Sequence, residues 1–237
     1  MKPMPYLACL LFALAPAAHA LQPYRVADVD PTFHSRGSGA GGFVRVGRRA
    51  VFTAGTPNLG LWSTDGSSAG TIRLVANVTS IETLAATGEA LFFRGCDPQN
   101  CRLQITDGTV AGTRVLPGLA DSDYGVAIAG ARRIFFVGLS ADSPGLWTSD
   151  GTPGGTRLVK RFELDHNVST LHHFVWFRER LWFFAGDTLW TSDGKATGTR
   201  KVAKVGSVDQ AGAASTRLVF FVRLGDTSDS RLWSSDG

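Results

Sequence analysis

Five aspartates recur at positions 65, 107, 150, 193 and 236, each followed by glycine; a ring of evenly spaced carboxylates is one way to hold calcium or a charged substrate. Calcium takes about 6–8 oxygen ligands, usually from loops in which acidic residues alternate. Each of these sites offers one carboxylate. The pairs Asp65-Gly66, Asp107-Gly108, Asp150-Gly151, Asp193-Gly194 and Asp236-Gly237 are therefore expected to be turns between strands. Asp tolerates turn geometry and accepts backbone N–H groups, while Gly supplies the positive φ. His172-His173 is a second candidate for metal, but successive strand residues point to opposite faces, which keeps the two rings from one ion. Glu163, Asp165 and His166 form the densest ionisable cluster and read as a solvated loop between repeats. The chain carries no Gly-x-Ser-x-Gly elbow, phosphate-binding loop or His-Glu-x-x-His motif, so no catalytic residue, metal or cofactor is assigned.

The first twenty residues carry Lys2, an apolar run from Leu7 to Ala18 and the small-x-small group Ala18-His19-Ala20. This is the form of a signal peptide cleaved after Ala20, so residues 21–237 are expected to be one exported domain, in the cell envelope or outside the cell. No later segment is long and uncharged enough for a transmembrane helix. Cys9 leaves with the leader, and the remaining pair, Cys96 and Cys101, reads as a disulfide clipping a short loop. The formal charge is +4 and the arginines are scattered, which argues against a nucleic-acid partner and places them on solvated strand faces and turns.

The elements that position these residues follow from a repeat. Leu61-Trp62-Ser63-Thr64-Asp65-Gly66 returns as Leu103-Gln104-Ile105-Thr106-Asp107-Gly108, Leu146-Trp147-Thr148-Ser149-Asp150-Gly151, Leu189-Trp190-Thr191-Ser192-Asp193-Gly194 and Leu232-Trp233-Ser234-Ser235-Asp236-Gly237. The aspartates lie 42 or 43 residues apart, and four copies continue into Gly-Thr. An aromatic strand precedes each Asp-Gly, for example Leu91-Phe92-Phe93 or Trp182-Phe183-Phe184. Each period reads as four short strands without helical periodicity, which is the size of one propeller blade. The expected fold is an all-β, five-bladed β-propeller of four-stranded antiparallel sheets. Trp62, Trp147, Trp190 and Trp233 are expected to pack between blades, where one aromatic buries about 150–250 Å².

The repeat resembles that of bacterial exported proteins defined by Glu-Leu-Trp-x-x-Asp-Gly-Thr. The leading glutamate is replaced here by Gly60, Arg102, Gly145, Thr188 and Arg231, and Gln104 stands for the tryptophan in the second copy. The resemblance implies an exported, propeller-like protein and adds little about activity. The turns are also similar to the Asp-box hairpins of sialidases, which are structural turns in that family.

The last repeat stops after Asp-Gly, and Tyr24-Arg25-Val26-Ala27-Asp28-Val29 resembles the strand that follows Gly-Thr elsewhere, as in Arg200-Lys201-Val202-Ala203-Lys204-Val205. That N-terminal strand is expected to complete the fifth blade, since an open edge invites aggregation; the rival reading is a truncated copy of a longer array, because the sequence stops directly after Asp-Gly. Two functions follow. The first is a non-enzymatic binding module presenting variable loops to a glycan, a cell-envelope component or a protein. The second is a glycan-active hydrolase or lyase, which for hydrolysis would require two carboxyl groups about 5–9.5 Å apart. The segments 31–41, 95–101, 119–124 and 163–170 are the loops in which either activity should be sought.

Overall fold

The chain is described by a computed structural model covering residues 39–55, 59–120, 124–140, 143–162, 171–223 and 229–237. These residues form nineteen strands in five antiparallel sheets. The first holds β1 (Gly41–Val46), β2 (Arg49–Ala54), β3 (Gly60–Thr64) and β4 (Ile72–Val75). The second holds β5 (Ser80–Ala86), β6 (Leu91–Cys96), β7 (Cys101–Thr106) and β8 (Arg114–Ala120), and the third β9 (Tyr124–Ala129), β10 (Ile134–Ser140), β11 (Ser143–Ser149) and β12 (Arg157–Arg161). The fourth holds β13 (His172–Phe177), β14 (Arg180–Ala185), β15 (Thr188–Ser192) and β16 (Arg200–Lys204). The fifth has three described strands, β17 (Val208–Ala213), β18 (Leu218–Arg223) and β19 (Ser230–Ser235). Its expected fourth strand falls on residues 24–29, outside the described residues.

Every sheet is a meander in which strands pair in chain order. The first strands β1, β5, β9, β13 and β17 lie beside one another in succession. The aromatic strand of each repeat is the second of its sheet, and in the second, third and fourth sheets its apolar run is continuous because neighbouring sheets cover both of its faces. In β14, Leu181 and Phe183 turn back to a cluster with Phe135, Val137 and Leu146 of the third sheet. Trp182 and Phe184 turn forward to Leu218, Phe220 and Val222 of the fifth. The same alternation joins the second sheet to the third through Phe92, Leu103, Ile134 and Phe136, and the first to the second through Val51, Leu61, Leu91 and Phe93. The core is thus a series of apolar layers between sheets, and no sheet buries its faces alone.

Candidate functional site

The meander sends the first-to-second strand connection of every sheet, and the third-to-fourth connection of the four-stranded ones, to one end of the molecule. The second-to-third connections and the links between sheets go to the other. The Asp-Gly pairs occupy the first end, and the two ends differ in chemistry.

At the Asp-Gly end the turn is a closed set of hydrogen bonds. Asp150 Oδ1 accepts from the Thr152 N–H at 2.9 Å and the Thr152 hydroxyl at 2.7 Å, and the Gly155 N–H donates to that hydroxyl at 3.0 Å. The Thr156 hydroxyl lies 2.8 Å from Ser149 Oγ, which accepts from the Gly151 N–H at 3.1 Å. Equivalent bonds recur around Asp65 and Asp107, and Asp193 accepts from the Lys195 N–H at 2.9 Å. The Gly-Thr of the repeat therefore serves this circuit. Its hydroxyl bridges the turn to the preceding strand. The glycine of each Asp-Gly pair has positive φ at all five copies, from 86° to 101°. Asp65 and Asp107 are held below the usual carboxylate range chiefly by the hydroxyls of Ser67 and Thr109. Burial raises Asp150, but the hydroxyl and N–H of Thr152 outweigh it and the net shift is downward. These oxygens are engaged within their own turns, in line with a turn role more than a ligand role.

The turns also abut the preceding sheet. Gly151 sits against Ile105, and a Cβ on Gly194 would lie 2.9 Å from Arg133 Nη1. Arg114 of β8 donates to Gly151 O at 2.7 Å, and Arg157 of β12 donates to Gly194 O at 3.0 Å. Within sheets, Arg180 Nε reaches Thr191 Oγ1 at 3.1 Å and its Nη2 reaches Gly198 O at 2.8 Å; Arg49 holds Ser63 and Gly70 in the same way. The expectation of merely solvated arginines is corrected for these four. The available signal was position: Arg114, Arg157 and Arg200 each follow the Gly-Thr threonine and lie 43 residues apart.

Of the tryptophans, Trp190 lies in the layer between the third and fourth sheets, edge-on to Phe162 at 5.1 Å. Trp147 packs on the layer between the second and third, stacked on Phe136 at 6.5 Å. Trp62 lies under the Arg73 guanidinium at 5.6 Å, and Trp233 is 48% exposed.

The opposite end holds 95–101; of the other candidate loops, 31–38, 121–123 and 163–170, with Glu163, Asp165 and His166, lie outside the described residues. Cys96 and Cys101 face each other across β6 and β7 and form the disulfide, with Cα atoms 4.0 Å apart. Asp97 caps the hairpin by accepting from the N–H groups of Gln99 and Asn100, both at 2.8 Å, which lowers its pKa.

His172 and His173 were expected to point apart, and they do not. A register shift between His172 and Val175 and a φ of 50° at His173 break the alternation. The ring centroids lie 4.6 Å apart at 83°. His172 Nε2 contacts Gly186 O at 3.3 Å, and His173 Nε2 contacts Val208 O of the fifth sheet at 3.1 Å. Burial, then the neighbouring His173, pushes the His172 pKa down. Beside them Asp209 accepts from Ser230 Oγ at 2.6 Å and from Arg223, and both keep its carboxylate ionised. Asp187 pairs with Lys204 at 2.9 Å, and Glu82 with Arg94 at 3.7 Å. Among the described residues, no group of three His, Cys, Asp or Glu side chains is placed to hold a metal. A glycosidase general acid needs a carboxyl pKa raised toward neutrality. Asp97, Asp187 and Asp209 at this end are all shifted the other way.

No family model matches the chain, and no curated protein matches it. Solved structures do. The β-propeller domain of the trilobed protease from Pyrococcus furiosus, described as having an open velcro topology, aligns over 84% of this chain and 69% of its own, with a TM-score of 0.50 and 13% identity. The fold is a β-propeller. A puromycin hydrolase S511A mutant complexed with PGG aligns over 83% of this propeller with a TM-score of 0.56 and 14% identity, and an oligogalacturonate lyase in complex with manganese over 81% with 0.52 and 13%. The chain spans 36% of the hydrolase and 61% of the lyase. At such identities the likeness concerns architecture, and chemistry has to be argued from sites.

Proposed function

We propose that this chain is an exported, non-enzymatic binding module: one five-bladed propeller over residues 21–237, released from a signal peptide at 1–20 and closed by an N-terminal strand over residues 24–29. It would belong with the bacterial proteins of the Glu-Leu-Trp-x-x-Asp-Gly-Thr repeat.

The observation that carries the binding reading is the contrast between the two ends. The Asp-Gly end repeats one set of turn contacts from sheet to sheet. The other end carries different groups in three of the sheets: a disulfide hairpin in the second, Asp187 with Lys204 and the histidine pair in the fourth, Asp209 with Arg223 and Ser230 in the fifth. A repeated frame with variable connections at one end suits recognition, where loops on a rigid scaffold carry specificity. The lowered pKa values of Asp97, Asp187 and Asp209 favour contact chemistry over proton transfer.

The partner is a glycan, a cell-envelope component or a protein. Among the described residues no helix is long and apolar enough to cross a membrane. The test is thermal unfolding of the chain alone and with polysaccharides, peptidoglycan fragments and calcium. A rise in Tm with one ligand class, lost on Arg223→Ala or Lys204→Ala, is the expected result. Turnover of a polysaccharide with no dependence on these side chains would overturn the reading.

A further inference from the structure

The geometry points to a second interaction surface at the Asp-Gly end: exposed arginines on the first-to-second strand turns form a basic rim that binds an acidic polysaccharide. This goes beyond the reading above, which places recognition at the opposite end.

Topology makes the rim, since these arginines share no period in the sequence. The turn between β1 and β2 exposes Arg48, that between β9 and β10 Arg132, that between β13 and β14 Arg178, and that between β17 and β18 Arg217. In the second sheet the corresponding turn exposes Glu89. The first strands lie beside one another in chain order, so their turns succeed one another across one end. Contacts between sheets bear this out. The Gly47 N–H donates to Gly88 O at 2.6 Å, joining the first two turns. A Cβ on Gly130 would lie 2.9 Å from the Trp176 ring of β13, and one on Gly237 would lie 3.8 Å from Arg178 Cδ.

The charge of the rim is in excess of what the fold uses. In three of the turns a second arginine holds the structure. Arg49 bonds Ser63 and Gly70 O, Arg180 bonds Thr191 and Gly198 O, and Arg133 lies against Gly194 and beside the Asp150 carboxylate. The aspartates of the Asp-Gly turns are offset locally in the same way, Asp65 by Arg49 at 3.8 Å and Asp107 by Arg114. Arg48, Arg132, Arg178 and Arg217 have no ion-pair partner among the described residues.

A guanidinium fork matches the oxyanions of an acidic sugar. Each exposed ion contact is weak, so binding needs several at once, and a polymer that repeats its charge can engage all four arginines. The surroundings select the kind of polyanion. None of the exposed large apolar residues lies in these turns, where Gly88, Ala131, Ser215 and Thr216 stand beside the charged side chains. The rim thus lacks the apolar wedge that enters a bilayer and the exposed ring on which a nucleobase stacks.

The test is calorimetry of the full chain with alginate oligomers at low ionic strength, beside dextran as the neutral control. Alginate should bind, dextran should not, and added salt should weaken binding. Arg48→Gln, Arg132→Gln, Arg178→Gln and Arg217→Gln combined in one chain should weaken alginate at least about tenfold, because small exposed contributions are lost together. Glu89→Arg supplies the cation that the second sheet lacks and should strengthen binding, a gain that misfolding cannot imitate. Arg223→Ala with Lys204→Ala should leave alginate binding unaltered, so this surface and the opposite one are judged separately. Absence of alginate binding, its loss in the Arg223 and Lys204 variant, or tighter binding of phosphatidylglycerol vesicles or oligo(dT) than of alginate would overturn the inference.

Discussion

The carboxylate of Asp150 fills the space that a side chain on Gly155 would need, and Gly154 beside it has nothing within 4 Å of a Cβ position. Two adjacent glycines are thus opposite cases. Gly155→Ala should destabilise by about 2–4 kcal/mol, because either the turn or the carboxylate must move. Gly154→Ala should stay within about 0.5 kcal/mol of the parent. Denaturant unfolding of the two variants decides this, and equal effects would remove Asp150 as the reason for the glycine.

The hydrogen bond from Arg157 to Gly194 O joins the third sheet to the fourth. Arg157→Met keeps much of the stem and removes the donor, so it should cost about 1–2 kcal/mol, since bonds from charged groups exceed neutral ones. Arg132→Met, at an exposed position in the turn before β10, is the comparison, and a larger loss there would contradict the assignment.

Acid should act in two windows. The folded pKa of His172 lies below its ordinary 6.5, so the unfolded chain takes up that proton more readily. Its contribution is full above pH 6.5 and is lost as pH falls from there through the folded value. The carboxylates of Asp65, Asp107 and Asp150 are lowered from 3.8, so their stabilisation persists above that pH and disappears as pH falls through the folded values. Unfolding free energies across this range should show the upper step vanish in His172→Asn while the lower one remains.

Removing the disulfide by paired Cys96→Ser and Cys101→Ser should cost at most about 2–3 kcal/mol, because so short a loop loses little entropy when closed. The chain should still unfold cooperatively. Loss of the folded baseline in circular dichroism would show that the bond holds more than its own hairpin.

The period of 42–43 residues made the sheets legible, since each sheet is one period cut between repeats and its second strand announces itself as a run such as Ile134-Phe135-Phe136. The turns were legible for the same reason, because Asp-Gly restricts the backbone locally. The histidine pair was not. Strand alternation separates His172 from His173, and only the register shift and the positive φ of His173 bring their rings together. The arginine contacts between sheets were hidden because Arg114 and Gly151 meet only after two sheets have packed. What can be read early is whatever one repeat settles alone.

The arginine that follows Gly-Thr reaches forward along the chain, from Arg114 to Gly151 and from Arg157 to Gly194, never back in these two cases. For a chain emerging N-terminus first, the donor is made about thirty-seven residues before its acceptor. Each sheet therefore presents its donor before the hairpin that accepts it is synthesised, so the polarity of these two contacts runs with the direction in which the chain is made.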